Sequence, residues 1–232
     1  MIGAGEIAIS DARAAQPELR ELGRLAVDAH VGGMLSRKCG VTHFHVGDGE
    51  KRLEIIRKLL RKTEVRPEWL YLTHVERNEL LMDEAIEIAR NGVFVDIDVV
   101  EEDLAKWLRF YFEREGDAAQ LTVSSDASFS SPRTVYEQLR GCVLEHGFAL
   151  EQLLPLVTAN TARVLRLDLK GRIEMGKDAD LLVMRKDSLE IVEVIARGRR
   201  LVAQGRLNVE ESFLKQSART ITLQGRKHKG DE

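Results

Sequence analysis

The chain has 232 residues, of which 44% are hydrophobic and 31% charged, and its formal net charge is -3. These values are ordinary for a globular protein and exclude a mostly disordered chain or a general electrostatic pull toward nucleic acid or anionic membranes. No apolar run approaches the roughly 20 residues of a membrane span and the start lacks the regions of a signal peptide, so we expect a cytoplasmic protein.

Apolar strand patterns alternate with amphipathic helix patterns along the first half of the chain. Strands are predicted over 2–10, 41–46, 69–74, 92–100 and 121–126, and helices over 17–37, 50–63, 78–90 and 101–114. Because parallel strands need a crossover connection, usually a helix, this order predicts an α/β fold of parallel β/α units.

A doubly wound sheet and a piece of a (β/α)8 barrel are both compatible with this alternation. The segment GAGE at 3–6 lacks the third glycine of a dinucleotide-binding loop. Polar residues gather instead at the ends of several strands, which is where a barrel carries its catalytic groups. The pattern therefore favours a partial (β/α)8 barrel.

The remainder of the chain changes character after residue 126. Helical patterns cover 131–145 and 148–165, and 172–207 has short alternating runs with glycine turns that predict antiparallel strands. We predict a barrel part over 1–170, a small β-sheet domain segment over 171–210, and a C-terminal extension over 211–232 whose charged tail is disordered.

Four strand ends carry side chains that suit a metal ion, namely Glu6, His45, His74 and Asp126. Imidazole nitrogen and carboxylate oxygen are zinc ligands, and a free carboxylate beside an activated water can pass its proton to a leaving amine. A single histidine near a strand end is more often a hydrogen-bonded core residue, and His43 is interpreted as such a deeper neighbour of His45. Four such residues on four strands favour a metal site.

Four motifs, EIAISDAR, THFHVGDG, THVERN and SSDASFS, occur in this order. In that order they closely resemble the isoaspartyl dipeptidases (β-aspartyl peptidases) of the amidohydrolase superfamily, and 158–184 resembles the closing segment of the superfamily. The resemblance runs from residue 1 to about 208. It implies barrel strands 4 to 8 and the C-terminal part of the small β domain.

The resemblance also implies a centre of two zinc ions. His45 and His74 match ligands of one ion, and Asp126 matches the ligand of the other ion that also acts as general base and then general acid. Where the best-known relatives have a carboxylated lysine that bridges both ions, this chain has Glu6. A carboxylate offers two anionic oxygens as a carbamate does, so we predict that Glu6 bridges the metals.

The implied reaction is hydrolysis of the β-aspartyl peptide bond of dipeptides, with a metal-bridging hydroxide as the nucleophile. Arg13, Arg77 and Ser130 match contacts to the dipeptide substrate. Guanidinium groups suit a substrate with two carboxylates, because each presents a bidentate fork of donors. Without the motifs, each arginine would be read as part of a surface ion pair.

One motif of the family, the HxH of the first barrel strand, has no equivalent before Glu6, and HFH at 43–45 aligns with the fifth strand instead. We therefore expect a C-terminal part of such an enzyme, whose open sheet edge at Glu6 gives poor stability on its own or dependence on partners. A homo-oligomer is also expected. The alternatives are an inactive truncated remnant and another amide or imide hydrolase of the superfamily. Neither nucleic acid nor a membrane is expected as a partner.

Overall fold

A computed structural model describes residues 3–100, 103–127 and 131–208. The chain divides into two compact units, Met1–Lys177 and Asp178–Glu232. The predicted domain limits at 170 and 210 stay predictions, and the predicted tail at 211–232 lies outside the described residues. No helix in the described ranges combines the length and the apolar character that crossing a membrane requires.

The first unit contains a parallel sheet with the strand order β1-β2-β3-β4-β5. Its strands are β1 (Gly3–Ile9), β2 (Val41–Val46), β3 (Leu70–Thr73), β4 (Phe94–Asp98) and β5 (Leu121–Ser124). The helices are α1 (Leu19–Ser36), α2 (Glu54–Lys62), α3 (Glu79–Ala89), α4 (Leu104–Glu113), α5 (Pro132–Leu144), α6 (Leu150–Val157) and α7 (Ala159–Val164). The predicted alternation of parallel strands and helices is confirmed.

Side chains at the helix starts explain where the helices begin. Asn78 caps α3 by accepting a hydrogen bond from the backbone N–H of Leu81, and Asp103 does the same for α4. Ser131 caps α5, and the proline that follows supplies a preorganised first helical residue. These caps place the turns between strand ends and helices, which are the segments that line the site.

The two faces of the sheet differ in polarity. Along β2, Phe44 and Val46 are fully buried in the apolar core beneath the helices, whereas His43 and His45 lie on the opposite face. The register pairs His43 with Tyr71 and His45 with Thr73, so these side chains share that face. The apolar face holds the fold together and the polar face carries the candidate chemistry.

The polar face has a buried hydrogen-bonded network at its centre. Asp96 is 1% exposed and accepts hydrogen bonds from four hydroxyl groups on the two flanking strands, β3 and β5. The donors and distances are Tyr71 at 3.0 Å, Thr122 at 2.5 Å, Thr73 at 2.8 Å and Ser124 at 2.6 Å. Both oxygens of Asp96 are satisfied, and the network links β3, β4 and β5. Burial nevertheless raises the pKa of Asp96, because these hydrogen bonds offset only part of the desolvation of its charge.

The second unit is a four-stranded antiparallel sheet with the order β6-β7-β8-β9. Its strands are β6 (Leu181–Met184), β7 (Ile191–Ala196), β8 (Arg199–Ala203) and β9 (Arg206–Leu207). Gly198 and Gly205 form the connecting turns with positive φ angles, which glycine adopts without steric cost. The predicted antiparallel strands are confirmed.

Candidate active site

A cavity of about 880 Å³ opens at the carboxyl ends of the parallel strands. Six of the seven side chains predicted for the site line it, namely Glu6, Arg13, His45, His74, Arg77 and Asp126. Ser130, the seventh, lies outside the described residues. Since these six come from four different strand ends, only the fold brings them together, as expected when catalytic groups gather at the C-terminal face of parallel strands.

His45 and His74, two of the predicted ligands, lie next to each other in the cavity. Nδ1 of His45 lies 3.2 Å from Nε2 of His74. Two nitrogens about 2.0–2.1 Å from one tetrahedral zinc ion are roughly 3.3 Å apart, so the observed spacing fits a shared ion. Burial and the neighbouring His74 lower the pKa of His45, which keeps its ring neutral and able to ligate at pH 7.

Two carboxylates complete the set of candidate donors. The negative charges of Glu6 and Asp126 are close enough to His45 to oppose the lowering of its pKa. Both line the same cavity as the two imidazoles. A set of two imidazoles and two carboxylates has the composition that zinc and similar divalent ions take in proteins, so the residues fit such a group.

The backbone is strained at three of these four residues. Glu6 has φ 58°, His74 has φ 65° and Asp126 has φ 43°, all in the left-handed region that side chains with a Cβ seldom occupy. In β1 the pairing with β2 shifts register between Ala4 and Ile7, so Glu6 sits in a bulge. Such strain persists only where the surroundings impose it. Positive φ also occurs at nine described non-glycine residues outside this set, so it does not by itself mark the site.

Two acidic residues of the cavity, Glu76 and Asp98, are missing from the sequence prediction. Asp98 Oδ2 contacts Nδ1 of His74, and Asp98 Oδ1 accepts a hydrogen bond of 3.1 Å from the backbone N–H of Val100. His74, Glu76 and Asp98 offer ligand atoms within 4.8 Å of one another. The sequence did contain a signal for Asp98, which is the second aspartate of VDID at 95–98. Residues two apart on a strand lie on the same face, so Asp98 is expected on the polar face with Asp96.

Burial acts differently on these two carboxyl groups. It raises the pKa of Glu76 well above its ordinary value, and the adjacent Asp98 raises it further. Burial also disfavours the charged form of Asp98, but hydrogen bonds from His74 and Glu76 outweigh it and hold that pKa well below its ordinary range. Asp98 is therefore the anionic member of the pair and Glu76 the neutral one.

The two predicted substrate-binding arginines are held in different ways. Nε of Arg77 donates to the carbonyl of Val46 at 2.8 Å, and Arg77 is one of the residues that line the cavity. Arg13 is 84% exposed and forms a two-pronged pair with Asp11, with distances of 3.0 Å and 2.7 Å. Arg77 is thus an anchored cation inside the cavity, whereas Arg13 stands at its rim with its fork on Asp11.

His43 lies deeper on the same face as His45 and stacks on Tyr71 at 4.7 Å between ring centroids. It was expected to be a hydrogen-bonded neighbour, but its Nε2 is buried and has no hydrogen-bond partner among the described residues. Burial, followed by the nearby His45 and His74, lowers the pKa of His43 to about 4. Stacking, rather than hydrogen bonding at Nε2, holds this ring in place.

The amidohydrolase family model matches residues 41–203 of the chain. Two crystal structures of the β-aspartyl dipeptidase from the thermophilic, keratin-degrading Fervidobacterium islandicum AW-1 are similar to it. One is 36% identical with a TM-score of 0.84 and covers 91% of this chain and 59% of the other. The second, a complex with the dipeptide β-Asp-Leu, is 34% identical with a TM-score of 0.82 and covers 91% of this chain and 60% of the other.

This chain spans about three fifths of the length of those dipeptidase structures. An atrazine chlorohydrolase from Arthrobacter aurescens TC1, complexed with zinc, is 15% identical with a TM-score of 0.60 and covers 91% of this chain and 52% of its own. That last likeness is one of fold alone. The resemblance inferred from the four sequence motifs is confirmed, and so is the partial (β/α)8 barrel with a small β-sheet segment.

Proposed function

Because the chain belongs to the amidohydrolase family, we propose that it acts in the zinc-dependent hydrolysis of the β-aspartyl (isoaspartyl) bond of dipeptides. The observation that carries this proposal is the pairing of His45 with His74 at 3.2 Å in a cavity that Asp126 and Arg77 also line. The likeness to a dipeptidase in complex with β-Asp-Leu supports the choice of substrate.

Four residues would hold the metal: His45 and His74 through neutral imidazole nitrogens, and Glu6 and Asp126 through carboxylate oxygens. A divalent ion bound there supplies Lewis acidity toward the scissile carbonyl and lowers the pKa of water toward about 7. Asp126 accepts the proton of the attacking water. It then donates this proton to the nitrogen of the leaving amine as the C–N bond breaks. Glu6 would take the bridging position predicted for it from the sequence.

The cations of the cavity orient the dipeptide. A β-aspartyl dipeptide carries two carboxylates, and Arg77 presents donors to one of them while Val46 fixes its Nε. Arg13 supplies the second cation at the rim, with Asp11 holding its fork in one orientation. Binding both ends of the dipeptide fixes the position of the amide bond between them. Holding the reacting groups in the correct orientation in this way lowers the activation barrier of the hydrolysis.

The test is hydrolysis of β-Asp-Leu by the purified 232-residue chain, with leucine release measured after loading with zinc and after treatment with a chelator. We expect release with zinc, loss of release with the chelator, and recovery when zinc is restored. The α-linked dipeptide Asp-Leu is the control and should be cleaved far more slowly. A chain that binds zinc and cleaves neither dipeptide would contradict the proposed function and indicate a non-catalytic relative.

A further inference from the structure

Two buried acidic side chains lie behind His74 and take no part in the mechanism above. Asp98 is 5% exposed and Glu76 is 2% exposed, so both are inside the protein although they adjoin the cavity. A buried carboxyl group is costly unless its neighbours satisfy it. The arrangement of these two groups around one imidazole therefore calls for a role.

Both carboxylate oxygens of Asp98 make a contact, one to His74 and one to the backbone of Val100. Oδ2 of Asp98 contacts Nδ1 of His74, while Oδ1 is fixed by the backbone N–H of Val100 at 3.1 Å. Glu76 offers a carboxyl oxygen within 4.8 Å of the ligand atoms of His74 and Asp98, and its Oε2 is buried without a hydrogen-bond partner among the described residues. The geometry therefore ties Asp98, rather than Glu76, to His74.

We propose that Asp98 is a positioning residue for the metal site: it holds the proton of His74 on Nδ1 and thereby leaves the Nε2 lone pair facing His45. This inference rests on the metal site of the proposed function and adds to it the group that sets the tautomer and the ring orientation of one ligand.

The competing role, a metal ion held directly between His74, Glu76 and Asp98, fits the geometry less well. Nδ1 of His74 and Oδ2 of Asp98 are in hydrogen-bond contact, closer than the roughly 3.3 Å expected for two ligands of one tetrahedral ion. His74 would also have to ligate through Nδ1 while its Nε2 faces His45 at 3.2 Å. In the proposed arrangement Nδ1 of His74 donates a hydrogen bond to Asp98, and Nε2 is left to bind the metal. Each ring nitrogen then has one partner.

Two measurements test the proposal on the full chain. Long-range proton–nitrogen NMR spectra of the metal-free protein report which nitrogen of His74 carries the hydrogen, and competition with a chromophoric chelator reports the zinc affinity. In the wild type we expect the hydrogen on Nδ1. In Asp98→Asn we expect a mixture of tautomers and zinc binding weaker by about 10- to 100-fold, the usual effect of losing an outer-shell carboxylate.

Three further variants separate positioning from general damage. Asp98→Glu keeps the charge and should recover part of the zinc affinity. Glu76→Gln leaves the contact between Asp98 and His74 in place and should keep the Nδ1–H tautomer. Asp96→Asn is the matched control, because Asp96 is a buried carboxylate of the same strand that makes no hydrogen bond to His74. It should leave the tautomer of His74 unchanged in the folded protein.

Several outcomes would overturn the inference. These are a wild-type His74 with its hydrogen on Nε2, an unchanged tautomer and affinity in folded Asp98→Asn, or an equal loss of zinc affinity in Asp96→Asn. A second bound zinc that disappears in Glu76→Gln would also overturn it, in favour of a metal site. If Asp98→Asn does not fold, the wild-type tautomer and the Asp98→Glu variant decide. Wild-type zinc binding without dipeptide hydrolysis would remove only the proposed function.

Discussion

Nε2 of His74 lies 3.2 Å from Nδ1 of His45 although 29 residues separate them in the chain. The neighbouring parallel strands β2 and β3 create this contact, because their register pairs His45 with Thr73, the last residue before His74. The left-handed backbone of His74 then directs the chain into the short helical turn at 75–77. One strand pairing and one strained residue thus define the spacing of the two imidazoles.

Replacing either imidazole should remove most of the metal affinity. For His45→Ala we expect zinc binding to weaken by more than the roughly 100-fold upper range of outer-shell changes, because a ligand itself is lost. Isothermal titration or chelator competition measures this. His146→Ala, at an exposed position after α5, is the matched control and should bind zinc as the wild type does. Equal affinities in the two variants would contradict the assignment of His45.

Glu6 is predicted to bridge the metals, and its positive φ suggests how to test it without disturbing the fold. Asparagine tolerates the left-handed region better than most residues, so Glu6→Asn removes the carboxylate while keeping the backbone of the bulge. We expect the zinc content per chain to fall, as measured by elemental analysis after dialysis. Unchanged metal content in both Glu6→Asn and Glu6→Ala would show that Glu6 holds no metal.

The order of strands and helices was readable from the sequence because it depends on local periodicity and capping. The run HFHV at 43–46 alternates polar and apolar residues, and Asn78 precedes a helical stripe that it caps in the structure. The four candidate ligands were also accessible, since each ends a strand pattern and parallel strands present their carboxyl ends at one edge. These features need no knowledge of distant contacts.

What surrounds the ligands depends on those distant contacts and was not predicted. Asp98 and Glu76 meet His74 only because β4 pairs beside β3 and a helical turn folds Glu76 inward. The sequence predicted that the guanidinium of Arg13 binds substrate. In the structure two nitrogens of that guanidinium donate to the carboxylate of Asp11, two residues earlier in the chain. Positive φ angles at non-glycine residues leave no compositional trace, so the strain at Glu6 and Asp126 was invisible as well.

Arg77 should contribute mainly to substrate binding. Arg77→Met removes the donors that face the cavity, and a hydrogen bond to a charged partner is worth about 1.5–3 kcal/mol, so KM for β-Asp-Leu should rise about 10- to 100-fold. Steady-state kinetics with zinc-loaded protein measure this, with Arg61→Met on the exposed side of α2 as the control. A fall in kcat with unchanged KM would instead place Arg77 in the chemical step.

The four hydroxyl groups around Asp96 predict a stability effect that is separate from metal binding. Asp96→Asn removes the negative charge and replaces one acceptor oxygen with an amide donor. All four hydroxyls then lose a charged partner and two of them lose their acceptor, so we expect a loss of roughly 1.5–3 kcal/mol in the free energy of unfolding. Urea denaturation of the metal-free protein measures this. Asp83→Asn is the control, since its ion pair with Arg114 is about half exposed and is worth less than about 1 kcal/mol.

Glu84 predicts how the stability changes with pH. It lies on α3 and accepts hydrogen bonds from Arg52 at 2.6 Å, from the backbone N–H of Leu53 at 3.2 Å and from Arg57 at 2.7 Å, which ties α3 to the start of α2. Burial alone would raise its pKa, but these hydrogen bonds and the charge of Arg57 lower it below the ordinary value of 4.5. In the folded state the charged form is therefore favoured.

The sign of the pH effect follows from that lowered pKa. A carboxyl group whose folded-state pKa is depressed stabilises the fold fully above its unfolded value and loses that stabilisation as the pH falls through the folded-state value. We expect Glu84→Gln to lower the free energy of unfolding by about 1–3 kcal/mol at pH 7. The difference from the wild type should stay constant down to about pH 5.5 and then shrink in acid, where the wild-type carboxyl is protonated and therefore as neutral as the glutamine.

Urea denaturation across this pH range measures the effect, with Glu113→Gln at an exposed position of α4 as the matched control. A difference that is as large at pH 3 as at pH 7 would mean that the shape of the side chain, rather than its charge, joins the two helices.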